Sequence, residues 1–322
     1  MPRSNATLST KANFDANALA TQNALVRQNA LVRQNKGVYQ GGVCIQGEVF
    51  LSRANYGDGV FETMRSHQGH LPLMELHLQR LARGLAVIGL AAIKVEKIRL
   101  ELQHIASLHP NAVIKLIAIS AAPGGSYLRQ HNGVEYALVV SALPPSDSLE
   151  HPEGIVVRVC KTRLAQHSGL SGIKHLNRGE QILAANEPNT SGAHEGLMLD
   201  STGLVTCAIS GNVFAVLDGQ LCTPIINGAG VNGVMRACIM HICAEIGLAV
   251  AIRALAMADI LRASELFLCN SVRAVRPAAR LIEECGTERL FARPRPITQR
   301  IIAELNRIHF AHAQNQKDTH DA

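Results

Sequence analysis

Gly172-Ile-Lys-His-Leu-Asn-Arg-Gly-Glu-Gln181 is the stretch on which the reading of this chain turns. Its lysine, Lys174, follows an apolar, strand-like run from Ile155 to Val159 and opens an Arg/Glu/Gln segment of helical character. A lysine at a strand-to-helix junction can lose water from its amine and become a nucleophile, although the same decapeptide also suits an ordinary solvated lysine at a helix start.

Outward from this point, elements of both kinds alternate. Val43 to Phe50 reads as a hairpin turning at Gly47, Val60 to Arg65 as a strand, and 74–90 as a helix with Met74, Leu78, Leu81 and Leu85 on one face. A helix over 95–107 and a strand over 113–120 follow, and Pro144, Pro145, Ser146 and Asp147 mark a linker. Beyond it come a strand at 154–160, strands between Leu197 and Cys222 broken by turns at 200–203 and at Asp218-Gly219, and helices at 233–246 and 257–263. A strand at 266–270 and a helix at 297–308 close the pattern, which predicts a two-domain α/β or α+β enzyme. The expected organisation is an extension over 1–37, a smaller domain over 38–146, a larger one over 147–310 and a tail over 311–322.

Composition narrows the function. The chain has 322 residues, 47% of them hydrophobic, and carries a net charge of +6. Scattered arginines and only 3% aromatic residues give no stacking platform for nucleic acid, so small anionic ligands are the expected partners. The longest apolar stretch, 231–251, is interrupted by Arg236, His241 and Glu245, which argues against a membrane span. None of the eight cysteines forms a Cys-x-x-Cys pair, and several sit in strand-like runs, which favours reduced thiols and speaks against zinc. The histidines at 175, 241, 309 and 312 lack metal-like company. The first 37 residues repeat Asn-Ala-Leu-Val-Arg-Gln at 23–28 and 29–34. They read as an extension, with an organelle transit peptide as the other reading.

Two junctions in the second half invite an anion. Asn227-Gly-Ala-Gly-Val-Asn-Gly-Val-Met-Arg236 sets three glycines before a helix, so free N–H groups near Gly233, Val234 and Met235 can point at a phosphate, or the glycines can simply make a turn. Leu268-Cys-Asn270-Ser271, at the end of a strand, offers more donors and a hydroxyl, and also reads as a plain turn.

Together these pieces resemble the fold-type IV pyridoxal-phosphate (PLP) enzymes, the class IV aminotransferase family. The resemblance is carried by Tyr56-Gly-Asp-Gly-Val-Phe-Glu-Thr63 with His77-Leu-Gln-Arg80, by the Lys174 decapeptide, by Leu199-Asp-Ser-Thr-Gly-Leu-Val-Thr206 with Gly211-Asn-Val-Phe214, and by Gly230-Val-Asn-Gly-Val-Met-Arg236 with Asn270-Ser271. It spans roughly 40 to 283 and leans toward the aminodeoxychorismate lyase branch. It implies a D-amino-acid aminotransferase-like fold with PLP bound covalently by Lys174, which later shuttles protons. Arg80, the amides of Val234 and Met235, and Asn270-Ser271 would hold the phosphate. Arg178 either supports the ring or lies on the surface. A cytoplasmic homodimer acting on a small anionic amine is also implied.

Three departures accompany the resemblance. Cys207 stands where the family has a glutamate facing the pyridine nitrogen, and a neutral thiol makes the cofactor a weaker electron sink. In Ser120-Ala-Ala-Pro-Gly-Gly-Ser-Tyr127, Ala121 and Ser126 replace arginines frequent in lyases, leaving Lys115, Arg129 or a partner's arginine to meet substrate carboxylates. The extension before residue 38 is not part of the family pattern. The expected reaction converts 4-amino-4-deoxychorismate to 4-aminobenzoate and pyruvate. A branched-chain or D-amino-acid transaminase is the alternative, and a non-catalytic PLP-binding relative the second.

Overall fold

A computed structural model describes residues 38–40, 43–45, 53–122, 126–145, 151, 153–167, 169–189 and 191–310. The expected Gly47 turn, part of the 144–147 linker, the 1–37 extension and the tail from 311 lie outside these residues. The first sheet has the order β2-β1-β5-β4-β3, built from β1 (Val38–Gln40), β2 (Val43–Ile45), β3 (Gly59–Arg65), β4 (Ala112–Ser120) and β5 (Val134–Ala142), all antiparallel. Residues 43–45 pair antiparallel with 38–40 at this edge of the sheet.

Helices α1 (Met74–Val87) and α2 (Val95–Leu108) cover this sheet. Leu78, Leu81 and Leu85 of α1 are buried with Ile98, Leu102 and Ile105 of α2, Ile114 and Leu116 of β4, and Val60 and Met64 of β3. Side chains of this size stabilise the fold by about 1.5–3 kcal/mol each on full burial. α1 lies so close to β3 that a Cβ at Gly84 would sit 3.1 Å from Val60 Cγ1. The alternation of β3 then decides what reaches the second half: Val60, Glu62 and Met64 are buried, whereas Phe61 and Thr63 line a cleft.

The second sheet runs β11-β10-β9-β12-β13-β6-β7-β8, with β14 on β13. Its strands are β6 (Ile155–Val159), β7 (Glu195–Leu199), β8 (Val205–Ala208), β9 (Asn212–Leu217), β10 (Gln220–Pro224), β11 (Val250–Arg253), β12 (Glu265–Asn270), β13 (Ala274–Ile282) and β14 (Glu288–Leu290). Both faces are buried, which is why β9 and β12 read as continuous apolar runs. Val213, Ala215 and Leu217 join one core with Leu266 and Leu268. Phe214 and Phe267 stack at 5.0 Å on the other face, beneath α4 (Val234–Glu245) and α6 (Pro296–Leu305). The short helices α3 (Gly179–Ala185) and α5 (Met257–Arg262) complete the unit. Cys160, Cys207, Cys222, Cys238, Cys243 and Cys269 are buried free thiols, and Cys285 is exposed.

The helix expected to open at Lys174 starts five residues later, at Gly179. Residues 174–176 instead run extended along β3: Phe61 N donates to Lys174 O at 2.9 Å, and Leu176 N to Gly59 O at 3.0 Å. This short pairing ties the first sheet to the second half and lays Lys174 beside Phe61.

Candidate active site

Lys174, Arg80, Arg178, Cys207, Val234, Met235, Asn270 and Ser271 all line one cleft of about 400 Å3 between the two halves. The seat of Lys174 follows from the pairing just described, which places its Nζ 4.4 Å from the centroid of the Phe61 ring. Burial pushes this amine down to about 8, with Arg80, Arg178 and Lys115 acting in the same direction and Glu62 opposing them. A lysine so shifted keeps a useful neutral fraction near neutrality, as a nucleophile or proton carrier requires.

Arg80 is held from behind. Its Nε and Nη2 donate to the two oxygens of Glu62 at 2.8 and 2.5 Å, and Nη1 donates to Asn232 O at 3.1 Å. His77 Nδ1 meets the same carboxylate at 2.6 Å. Burial raises Glu62, but the bonds from Arg80 and His77 outweigh it and hold the carboxyl below its usual range. Burial likewise lowers His77, which favours the neutral ring as the partner of Glu62. Three of the five N–H groups of Arg80 are thus committed, and two remain for an anion. Glu62 and His77 stand within the motif stretches, but strand alternation and helix facing had to be combined to see that they steer Arg80.

Opposite Arg80 is the start of α4. The loop before it is clamped by Gly172 N to Gly230 O at 3.0 Å, Asn232 N to Gly172 O at 2.9 Å, and Asn212 Nδ2 to Val231 O at 2.9 Å. Gly233 caps the helix because a Cβ there would lie 1.8 Å from Asn212 Oδ1. The first-turn amides of Val234 and Met235 have no intrahelical acceptor and carry the positive end of the helix dipole. Arg236, in contrast, is buried away from the cleft, donating to Thr223 Oγ1 and Pro224 O. Asn270 shapes the wall bearing Ser271: its Oδ1 accepts from Val272 N at 3.0 Å and Arg273 N at 2.8 Å.

The residues suit PLP: a lysine of lowered proton affinity, an arginine fork facing a helix N-terminus and a hydroxyl where a phosphate can lie, and a cleft within the size range of a small-ligand site. Arg178 donates from Nε to His175 O at 2.9 Å, while its buried Nη2 has no partner. Cys207 is buried in β8, and loss of water drives its thiol up to about 12, so it is neutral.

The two residues expected at substrate carboxylates fall elsewhere. Lys115 of β4 is exposed, with Nζ 5.6 Å from the Phe61 ring centroid, near the cleft but not in its wall. Arg129 is bound up with Asp58, to which Nε donates at 3.0 Å, and with Ile88 O at 2.8 Å. Arg273, which lines the cleft, had no signal of its own in the sequence. Among the described residues no group of three or more His, Cys, Asp or Glu is arranged to hold a metal, and no helix is long and apolar enough to cross a membrane.

The pattern described as "Amino-transferase class IV" matches residues 59–281. Aminodeoxychorismate lyase of Vibrio harveyi is 29% identical over 227 residues, covering 70% of this chain and 83% of that protein. The crystal structure of 4-amino-4-deoxychorismate lyase from Pseudomonas aeruginosa superposes with a TM-score of 0.74 at 31% identity, covering 84% of this chain and 98% of that one. The PLP-bound form of a hypothetical aminotransferase from Mycobacterium tuberculosis reaches 0.72 at 19% identity, covering 85% and 99%, a likeness of fold alone.

Proposed function

The chain belongs to the class IV aminotransferase family and is a PLP-dependent enzyme of fold type IV, and from this premise we propose that it is an aminodeoxychorismate lyase. The observation that carries the choice of lyase is Cys207, a buried neutral thiol in the cleft wall where the family has a glutamate. Amino transfer depends most on a strong electron sink, whereas an elimination that ends in an aromatic ring has its own thermodynamic pull. The likeness to two lyases at 29% and 31% identity supports the same reading.

PLP, when bound, supplies the electron sink that acidifies the C–H bond beside the substrate amine. The rest falls to this chain. Arg80, the amides of Val234 and Met235, and Ser271 hold the phosphate, and Glu62 fixes the direction of Arg80. Lys174, with its lowered proton affinity, takes the proton from the ring carbon bearing the nitrogen, and the enolpyruvyl ether bond breaks on the same ring. Phe61 packs against the lysine and shields it from water. The atoms balance without water or oxidant: 4-amino-4-deoxychorismate divides into 4-aminobenzoate and pyruvate. Arg178 and Arg273 give the cleft the positive charge a dicarboxylate substrate needs, and Lys115 lies outside its wall with Nζ 5.6 Å from the ring centroid of the lining residue Phe61.

A cytoplasmic homodimer belongs to this reading. Tyr127 and Leu128, 90% and 82% exposed, offer an apolar edge to a second copy. The test is turnover of 4-amino-4-deoxychorismate by the holoenzyme without any 2-oxo acid. Equimolar 4-aminobenzoate and pyruvate support the lyase, strict dependence on a 2-oxo acid acceptor supports a transaminase, and cofactor binding without turnover of either kind supports a non-catalytic relative.

A further inference from the structure

We propose that Arg178 and Cys207 keep the ring nitrogen of the bound cofactor unprotonated, and that this makes the cleft selective for elimination over amino transfer. The inference rests on the PLP reading of the cleft around Lys174.

Its basis is the charge of the wall. Lys174, Arg80, Arg178 and Arg273 line the cleft, and among the described lining residues there is no aspartate or glutamate. A pyridine nitrogen holds its proton near neutrality only if an anion faces it; a neutral or cationic neighbour favours the free base. Whatever the orientation of the ring, this wall supplies no such anion.

The surroundings of Cys207 agree. Arg178, Glu180, Cys160 and Glu195 are the ionisable groups that act on its thiol. Neither glutamate lines the cleft, and each has partners of its own: Glu195 sits behind the wall, accepting from Arg276 Nη1 at 2.9 Å and from the wall residue Ser210 through Oγ at 2.6 Å, and Glu180 accepts from Ala165 N at 2.7 Å. Arg178 is left with a buried, unpartnered Nη2, a donor suited to a lone pair on an unprotonated nitrogen and unsuited to an N–H. A free-base ring withdraws electrons weakly, so a carbanion beside it is short-lived unless a leaving group departs at once. Expulsion of an enolpyruvyl ether meets that condition and reprotonation for amino transfer does not.

The experiment is nitrogen NMR of the full-length holoenzyme loaded with PLP labelled with 15N in the ring, read across the neutral pH range. The expected signal is that of free pyridine, without titration. Arg178→Met should bring a titration into that range. Cys207→Glu should move the signal toward pyridinium and speed amination of the cofactor by an amino-acid donor by at least roughly tenfold. A pyridinium signal in the wild-type protein overturns the inference, as does a Cys207→Glu holoenzyme with unchanged signal and amination rate. Arg178→Met keeps the test decisive if Cys207→Glu does not fold: absence of any titration there also counts against it. Failure to load cofactor on Lys174 removes the underlying reading and the inference together, whereas loaded cofactor with a protonated nitrogen removes the inference and the Cys207 argument for elimination but leaves the PLP reading of the cleft standing.

Discussion

Arg80 points into the cleft because Glu62 grips it from the helix side, with Nε to Oε1 at 2.8 Å and Nη2 to Oε2 at 2.5 Å. Both residues are almost fully buried, at 6% and 2% exposure, so the pair must be kept whole. Removing one partner of such a pair costs about 3–5 kcal/mol. Glu62→Gln is therefore expected to lower the thermal midpoint and to weaken PLP binding at least roughly tenfold, as measured by cofactor titration. The carboxyl is depressed, so its contribution is complete above the ordinary glutamate value and is lost only as pH falls through the lower folded value. The wild-type acid transition should be steeper than that of Glu62→Gln.

Lys174 carries the opposite signature. A lysine held near 8 binds fewer protons in the folded chain than in the unfolded one between that value and its ordinary 10.5, so it costs stability at neutral pH and the cost fades as pH rises through this window. Lys174→Met in the cofactor-free protein should be more stable than wild type at neutral pH, by on the order of 2–3 kcal/mol, and lose that advantage in the alkaline range. Denaturant unfolding at two pH values measures it.

Gly233 admits no side chain without displacing Asn212, whose Nδ2 holds Val231 O. Gly233→Ala should cost about 1–3 kcal/mol and misdirect the amides of Val234 and Met235. Inorganic phosphate is expected to raise the thermal midpoint of the wild-type cofactor-free protein, and to raise that of the variant less.

Arg129 is joined to Asp58, as is Arg53, whose Nε lies 2.6 Å from the same carboxylate. Burial raises Asp58, and the bonds from Arg129 and Arg53 more than reverse the shift. Arg129→Gln should therefore lose about 1–2 kcal/mol of stability, and Asp58→Asn should lose as much. If Arg129 serves only Asp58, KM for the substrate will be unchanged in Arg129→Gln once the protein is kept cold enough to stay folded.

Much of the site is legible in the chain because its chemistry is local. The three glycines before Val234 and the strand end at Asn270-Ser271 announce backbone N–H groups, and these stretches do meet at one cleft. The legible strands are those whose two faces differ or are both apolar, such as Val60–Arg65 and Glu265–Asn270. Val134–Ala142 begins with Val134, Glu135 and Tyr136, and Ala274–Ile282 carries three arginine or proline interruptions, so neither shows a clean period; their pairing partners alone make them strands. The extended course of 174–176 was hidden for the same reason. Its partner, Gly59 to Phe61, lies more than a hundred residues away, and no local propensity records that bond. The pairing of Arg129 with Asp58 was not legible either, because the two residues stand 71 positions apart and meet only in the fold.

The most direct test of the account is borohydride reduction of the PLP-loaded protein followed by mass mapping of the peptide that contains Lys174. The expected result is loss of the visible band and a single cofactor adduct on Lys174, absent from Lys174→Met and weakened in Glu62→Gln. An adduct on another lysine, or no band after addition of PLP, would contradict it.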